Sequence, residues 1–98
     1  MAYQIVWTEK ANIERQYILE FWAKNNQSKV YSLKLNKLFI SAIRDLSKKT
    51  NIGRKTAFEN VRVKIVREYL IFYEIIKKEV VILSVWDGRR DTKNLKIR

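Results

Sequence analysis

The sequence predicts an α+β domain in which a helical hairpin packs on one face of a small, mainly antiparallel sheet. Two observations lead to this prediction. Residues 61–90 contain three apolar, β-branched runs separated by two short charged breaks, which is the pattern of a three-stranded meander. Residues 9–49 instead repeat apolar side chains at helical spacing, with one polar interruption near residue 26. The predicted order of elements is β-α-α-β-β-β.

The first half of the chain is predicted to form one strand and two helices. Residues 3–7 alternate large apolar side chains with others, as a strand does. Thr8 stands where the N-cap of the first helix belongs, and this helix is predicted to end near Asn25 and Asn26. Ser28 is the predicted cap of a second helix that runs to about Lys49.

Both predicted helices contain more apolar surface than one contact with the sheet would bury. Ile13, Tyr17 and Phe21 share one face of the first helix, whereas Ile18 and Trp22 share another. The second helix has a main apolar stripe and two further apolar residues roughly opposite it. Packing of the helices on each other explains most of this surface. The alternative is a docking groove for another chain, whose predicted contacts are Ile18, Trp22, Leu33 and Ile40.

The predicted meander has one strand with a charged side. Val61 and Val63 alternate with Arg62 and Lys64, whereas residues 69–76 are almost wholly apolar, as in a central strand. Gly53, in the preceding connection, is expected to adopt a positive φ. Since two helices cover only one side of a sheet, the other side is expected to be open. We expect Arg62 and Lys64 to make that open side cationic.

Composition excludes several classes of protein. The 98 residues suffice for one domain, residues 1–98, with one modest core. The chain contains no cysteine and no histidine, so we expect no disulfide, no metal site and no cofactor, and histidine-based catalysis is excluded. No secretory signal or membrane-spanning run is visible, so a soluble, cytoplasmic protein with no membrane partner is expected.

The net charge predicts a polyanionic partner. Lysine and arginine number 21 against ten aspartates and glutamates, a formal charge of +11. The densest cationic run is the C-terminal segment, with Arg89, Arg90, Lys93, Lys96 and Arg98 against Asp91. Nucleic acid or a ribonucleoprotein is the usual partner of such a domain. An acidic protein partner and a surface that serves only solubility are the other interpretations.

The element order and three segments resemble the RelE/ParE toxins of bacterial type II toxin–antitoxin systems. The segments are the Ile-Gly-Arg turn at residues 52–54, the Tyr-Leu-Ile-Phe-Tyr-Glu-Ile strand at 69–75 and the closing Val-Trp-Asp-Gly-Arg-Arg-Asp at 85–91. The resemblance implies a toxin that inhibits growth when free and is neutralised by a cognate antitoxin. Such an antitoxin is typically acidic and has a disordered segment that folds on binding, in keeping with the basic charge observed here.

The resemblance to the RelE branch implies ribosome-dependent cleavage of mRNA. It places the basic positions of that branch at Arg62, Lys64 and Arg89, which are therefore candidate catalytic residues. Such cations would stabilise the charge that develops on the phosphoryl oxygens when the ribose 2′-hydroxyl attacks. The sequence departs from the branch at Leu70, where the branch has arginine, and at Leu95, where it has tyrosine.

The ParE branch instead inhibits DNA gyrase by binding it, and the long helical hairpin and the turn at residues 52–54 resemble this branch more. We therefore favour gyrase inhibition, with Arg62, Lys64, Arg89 and Arg90 as candidate nucleic-acid-binding or target-binding residues. Ribosome-dependent mRNA cleavage is the alternative, and a non-toxic nucleic-acid-binding module is a further one. Residues 92–98 are expected to be disordered until the antitoxin binds.

Overall fold

The computed structural model describes residues 2–25, 29–91, 93 and 95–97. Its elements are β1 (Gln4–Trp7), α1 (Glu9–Asn25), α2 (Lys29–Lys48), β2 (Arg54–Lys55), β3 (Val61–Val66), β4 (Tyr69–Ile76) and β5 (Glu79–Asp87). The predicted order is confirmed, with one addition: β2 is a short edge strand within a segment that was expected to be a plain connection. The predicted caps and ends at Asn26 and Ser28 lie outside the described residues.

The five strands form one sheet in the order β1-β5-β4-β3-β2, and only β1 is parallel to its neighbour. The parallel pair arises because the chain passes through both helices before it returns to the sheet. Thr8 joins the start of α1 to β5. Its hydroxyl accepts a hydrogen bond from the Ala11 backbone N–H at 3.1 Å and donates one to the Ile82 carbonyl at 2.8 Å. The predicted N-cap is therefore confirmed.

The meander closes through two-residue loops at the predicted charged breaks. Val66 pairs with Tyr69 across one loop, and Ile76 pairs with Glu79 across the other. In these two loops, positive φ values occur at Arg67 and Lys77 rather than at a glycine.

The positive φ expected at Gly53, before the meander, was wrong. The constraint at Gly53 is instead the close approach of another side chain.

The main core lies between the two helices and the sheet. Its buried members are Ala11, Leu35, Phe39, Ala42, Ile43, Leu46, Val66, Tyr69, Ile71, Tyr73, Val80, Ile82 and Val85. The α2 members repeat at helical spacing, and the β4 members alternate, so each element contributes one face. Trp22 lies at the edge of this core, where its indole N–H donates a hydrogen bond to the Tyr69 hydroxyl at 2.7 Å. Sequence periodicity thus located the core correctly for α2 and β4.

The expected open, cationic face of the sheet was wrong. Arg62 is opposite Tyr73, and Lys64 is opposite Ile71, so all four side chains lie on the side that faces the helices. The other side holds a second apolar cluster of Val61, Phe72, Leu83, Trp86 and Ile97. The alternation along β3 was read correctly, but its two faces were assigned to the wrong sides of the sheet.

The C-terminal segment covers part of this second side. Ile97 is only 4% exposed, and Leu95 packs against the same cluster. Residues 93 and 95–97 therefore differ from the disorder that was expected before partner binding, because their apolar side chains have a place on the sheet. Thr92, Asn94 and Arg98 are not among the described residues.

Neither helix of the described chain is long and apolar enough to cross a membrane.

Candidate target and partner surfaces

Arg89 and Asp87 form a two-point ion pair just after β5. The Arg89 Nε and Nη2 atoms donate to the two carboxylate oxygens of Asp87 at 3.0 and 2.9 Å, and the Arg89 backbone N–H donates at 2.9 Å. These hydrogen bonds lower the pKa of the Asp87 carboxyl and raise the pKa of Arg89. The Arg89 side chain remains 54% exposed, so the pair fixes its position while leaving it accessible.

Arg90 points to the opposite side of the sheet from Arg89. Its guanidinium lies over the Trp86 ring, 4.5 Å from the ring centroid. Trp86 belongs to the second cluster, whereas Asp87 pairs with Tyr69 on the side of the helices. The two adjacent arginines therefore serve different surfaces.

Arg62 lies beside the middle of β4, whereas Arg89 lies near its first residue. Its Nη1 atom donates to the Gly53 carbonyl at 2.8 Å. The strand partner of Arg62 is Tyr73, four residues along β4 from Tyr69, which pairs with Asp87. At about 3.3 Å per residue, this separation is roughly 13 Å along the strand. The fold thus places Arg62 and Arg89 on one side of the sheet but anchors them far apart.

Lys64 lies on the same side of the sheet as the two arginines, whereas the two positions that depart from the RelE branch lie on the other side. Lys64 is half-buried on β3 opposite Ile71, between the two arginines. Leu70 packs in the second cluster, on the other side of the sheet, and so does Leu95. Neither leucine therefore lies beside the candidate catalytic cations.

An apolar groove runs along α1 beside the Arg89–Asp87 pair. Ile13, Tyr17 and Phe21 form its exposed wall, and Tyr17 is 71% exposed. The groove has a volume of about 480 Å³ and is lined by Ile13, Glu14, Tyr17, Ile18, Phe21, Tyr69, Val85, Asp87, Arg89 and Arg90. It combines an apolar wall and floor with cations at one end, which suits an amphipathic acidic segment.

The two apolar faces of α1 differ in burial. Ile18 and Trp22, the predicted docking residues, pack partly buried against the main core. Ile13, Tyr17 and Phe21 are the exposed face. The signal missed in the sequence is Ala11, seven residues before Ile18 on the same face, because a small, fully buried side chain lets a helix approach a sheet closely.

Glu14 fixes the position of α1 above the end of β5. The Glu14 contacts follow an irregularity in the sheet, where the β4–β5 register shifts between Phe72 and Tyr73 and Leu83 has no partner on β4. The Glu14 Oε1 atom accepts hydrogen bonds from the Ser84 hydroxyl at 3.0 Å and from the Val85 backbone N–H at 3.1 Å. Lys10 contacts Glu14 Oε2 and the Ser84 hydroxyl, each at 3.1 Å. This network holds the groove wall in place.

The other two predicted docking residues lie on the exposed side of α2. Leu33 is 63% exposed, and Ile40 is also exposed. Ile40 borders a smaller groove of about 280 Å³ between α2 and β1, together with Ile5, Trp7 and Ile43. The structure thus leaves apolar surface on both helices, but the larger groove follows α1.

The sequence matches the family described as "ParE toxin of type II toxin-antitoxin system, parDE" over residues 5–92. That range includes both helices, β2 to β5 and all of β1 except Gln4. The chain belongs to the ParE toxin family.

A solved structure supports the ParE-type fold. The chain described here, a member of the ParE family, is similar to a chain of the chromosomal ParDE toxin–antitoxin system from P. aeruginosa, with a TM-score of 0.75 and 18% sequence identity. The similarity covers 86% of this chain and 94% of the other. No curated protein matches the sequence. Membership of the ParE family makes the chain a toxin of a type II system and implies an antitoxin partner.

Proposed function

We propose that this ParE-family toxin inhibits growth by binding DNA gyrase in the cytoplasm, without cleaving RNA. The observation that supports this proposal is the separation of Arg62 from Arg89. Each guanidinium is bound to an acceptor within the protein, Arg62 to the Gly53 carbonyl beside the middle of β4 and Arg89 to Asp87 beside its first residue.

Cleavage of RNA by attack of a 2′-hydroxyl needs several donors around one phosphoryl group. Each donor must lie about 3 Å from the oxygen that becomes charged, and small misplacements lower the rate strongly. A phosphate held by Arg89 would lie far from Arg62, with only Lys64 between them. Leu70 and Leu95 face the other side of the sheet and supply no polar group. Binding therefore fits this surface better than catalysis.

Purified toxin added in excess to a gyrase supercoiling assay tests the proposal. We expect supercoiling to stop, and we expect primer extension on translated mRNA to show no new 5′ ends. Unaffected supercoiling together with new 5′ ends in mRNA would establish the ribosome-dependent alternative. Nucleic-acid binding with neither effect would instead indicate a non-toxic binding module. An SOS response on induction in cells is the corresponding readout in vivo.

We further propose that the antitoxin occupies the α1 groove. Ile13, Tyr17 and Phe21 offer apolar side chains at helical spacing, and the Arg89 guanidinium lies at one end. An acidic amphipathic segment satisfies both features, since its apolar face enters the groove and a carboxylate meets Arg89. Leu33 and Ile40 on α2 extend the contact if the segment wraps around the hairpin, as their exposure permits.

Two matched variants test this second proposal. Tyr17→Lys puts a charge in the groove, whereas Gln16→Lys puts the same charge on the neighbouring exposed residue of α1. We expect Tyr17→Lys to weaken binding of the acidic protein encoded beside the toxin gene by about 100-fold, the loss of one well-packed aromatic contact. Gln16→Lys should bind as the original chain does. Equal binding by both variants would place the antitoxin on another surface.

A further inference from the structure

One end of the molecule gathers exposed lysines that the proposals above do not use. Lys48 ends α2 and Lys49 follows it, and Lys77 and Lys78 form the β4–β5 loop. All four are exposed. These four lysines are called the lysine end. The lysine end lies at the start of β5 and Arg89 follows the end of β5, so the lysine end and the surface around Arg89 lie at opposite ends of one strand.

Backbone hydrogen bonds at the start of β1 bring the two lysine pairs together. The Tyr3 N–H donates to the Ser47 carbonyl at 2.8 Å, and the Gln4 N–H donates to the Lys78 carbonyl at 3.0 Å. Because the two N–H groups belong to consecutive residues, the two carbonyl oxygens lie within about 10 Å of each other. Lysine side chains are long enough to present four ammonium groups side by side across this distance.

None of the four lysines forms an ion pair within the described part of the chain. The ion pairs found there are Lys10–Glu14 and Arg89–Asp87, and both lie near the end of β5. A lysine in the last turn of a helix also complements the helix dipole, which explains Lys48. That effect does not explain Lys77 and Lys78, because they lie in a hairpin loop.

We propose that the lysine end binds the phosphodiester backbone of nucleic acid. Regularly spaced phosphates are the ligand that several unpaired, exposed ammonium groups recognise without a shaped pocket. This surface would let the toxin contact a nucleic-acid strand while the α1 groove and Arg89 remain available to a protein. The inference concerns a second surface and does not depend on which target the toxin inhibits.

The test compares two variants that lose the same four positive charges. The first is Lys48→Gln/Lys49→Gln/Lys77→Asn/Lys78→Gln, in which asparagine is chosen because residue 77 has a φ of 56°. The control is Lys24→Gln/Lys29→Gln/Lys34→Gln/Lys37→Gln, made of exposed lysines elsewhere on the hairpin. Lys29 lies about 30 Å from Lys48 along α2. Circular dichroism confirms that both variants are folded.

Fluorescence anisotropy with a labelled 20-base-pair duplex is measured at several KCl concentrations, and a single-stranded RNA of the same length forms a second arm. For the original chain and the control we expect equal slopes of log K against log[KCl]. For the lysine-end variant the slope should be smaller by about 3 to 4 with duplex DNA, or by about 3 with single-stranded RNA. The arm that changes identifies the nucleic acid.

Three results would overturn the proposal. The first is that the original chain binds neither nucleic acid, and the second is that the lysine-end variant keeps the original slope. The third is that the slope decreases equally in the lysine-end variant and in the control, which would reflect net charge alone. A fourth contrary result is polyglutamate binding that depends on the four lysines while neither nucleic acid binds. Gyrase supercoiling is measured separately with the same proteins, so failure of this proposal is distinguishable from failure of the proposed target.

Discussion

The phenol ring of Tyr73 occupies the space that a side chain on Gly53 would need. The Tyr73 hydroxyl accepts a hydrogen bond from the Gly53 N–H at 3.0 Å and donates one to the Thr50 carbonyl at 2.8 Å. A β-carbon on Gly53 would overlap that hydroxyl and would lie 2.6 Å from ring atom Cε1. Tyr73 is fully buried, so a central residue of β4 fixes the turn between α2 and β2.

Gly53→Ala should therefore destabilise the fold by about 1–3 kcal/mol, the usual range for overpacking a buried site. The measurement is the free energy of unfolding in urea. Ala57→Gly changes an exposed residue of the next connection, between β2 and β3. It serves as the control and should change stability by less than about 1 kcal/mol. If Gly53→Ala is as stable as the original chain, the turn adjusts freely and Tyr73 does not constrain it.

Stability should fall above about pH 10, and Tyr73 should account for part of the loss. Burial raises the pKa of the Tyr73 hydroxyl above its ordinary value of 10.0, and burial likewise raises the pKa of Tyr69. The unfolded chain then loses these protons at a lower pH than the folded chain does. Folding stability is thus complete below about pH 10 and decreases as pH rises through the folded pKa values.

Urea unfolding across this pH range checks the prediction with two variants. Tyr73→Phe should have a shallower loss of stability at high pH, although it starts about 1–3 kcal/mol lower because the Gly53 N–H loses its acceptor. Tyr17→Phe, which changes an exposed tyrosine, should retain the original pH dependence. Identical slopes for all three proteins would show that other groups govern alkaline unfolding.

The sequence predicted the fold because its strongest signals are local. The charged breaks predicted at residues 67–68 and 77–79 contain the two hairpin loops, although Glu79 already belongs to β5, and the apolar run of β4 identified a central strand. The strand β2 was missed because Arg54 and Lys55 are too few to show alternation. Their pairing with Val63 and Arg62 depends on β3, which lies farther along the chain.

The sides of the sheet could not be assigned from the sequence. Alternation along β3 separates Val61 from Arg62 but does not say which face meets the helices. That choice depends on distant residues, since Leu95 and Ile97 supply the cover that makes an apolar second side stable. Two apolar residues that alternate with Lys96 are too few for a periodicity that would reveal this role.

The positions of the candidate residues follow from the sequence only where the signal is local. The place of Arg89 after the last strand is such a signal, and its spacing of two residues from Asp87 is a local signal for the observed ion pair. Whether Arg62 converges with Arg89 depends instead on strand register, which the sequence does not specify by itself. The choice between the two faces of α1 depends on how Ala11 meets the sheet.

Arg89→Ala should leave the fold intact and weaken growth inhibition. The Arg89–Asp87 pair is exposed, so its removal should change stability little. The pKa of Asp87 should rise towards its ordinary value of 3.8, since the arginine is the main cause of its depression. The small contribution of the pair to folding stability is present at pH values above the ordinary pKa of 3.8 and is lost as pH falls through the pKa of Asp87 in the folded protein.

Carboxyl NMR titration of Asp87 and growth after induction measure the two effects. Lys93→Ala is the control, because it removes a neighbouring exposed charge and leaves the pair in place. The control should keep the original pKa of Asp87 and full growth inhibition. Undiminished inhibition by Arg89→Ala would remove this arginine from the target surface, even if the pKa of Asp87 shifts as expected.

Ile97→Ala should destabilise the toxin by about 2–4 kcal/mol, although the residue is next to the last in the chain. Its side chain is 4% exposed and fills the second cluster against Phe72, Leu83 and Trp86, so truncation leaves a cavity on the sheet. Lys96→Ala alters the exposed neighbour and should change the free energy of unfolding by less than about 0.5 kcal/mol. Equal stabilities of the two variants would mean that the C-terminal segment leaves the sheet in solution and that the second side is open after all.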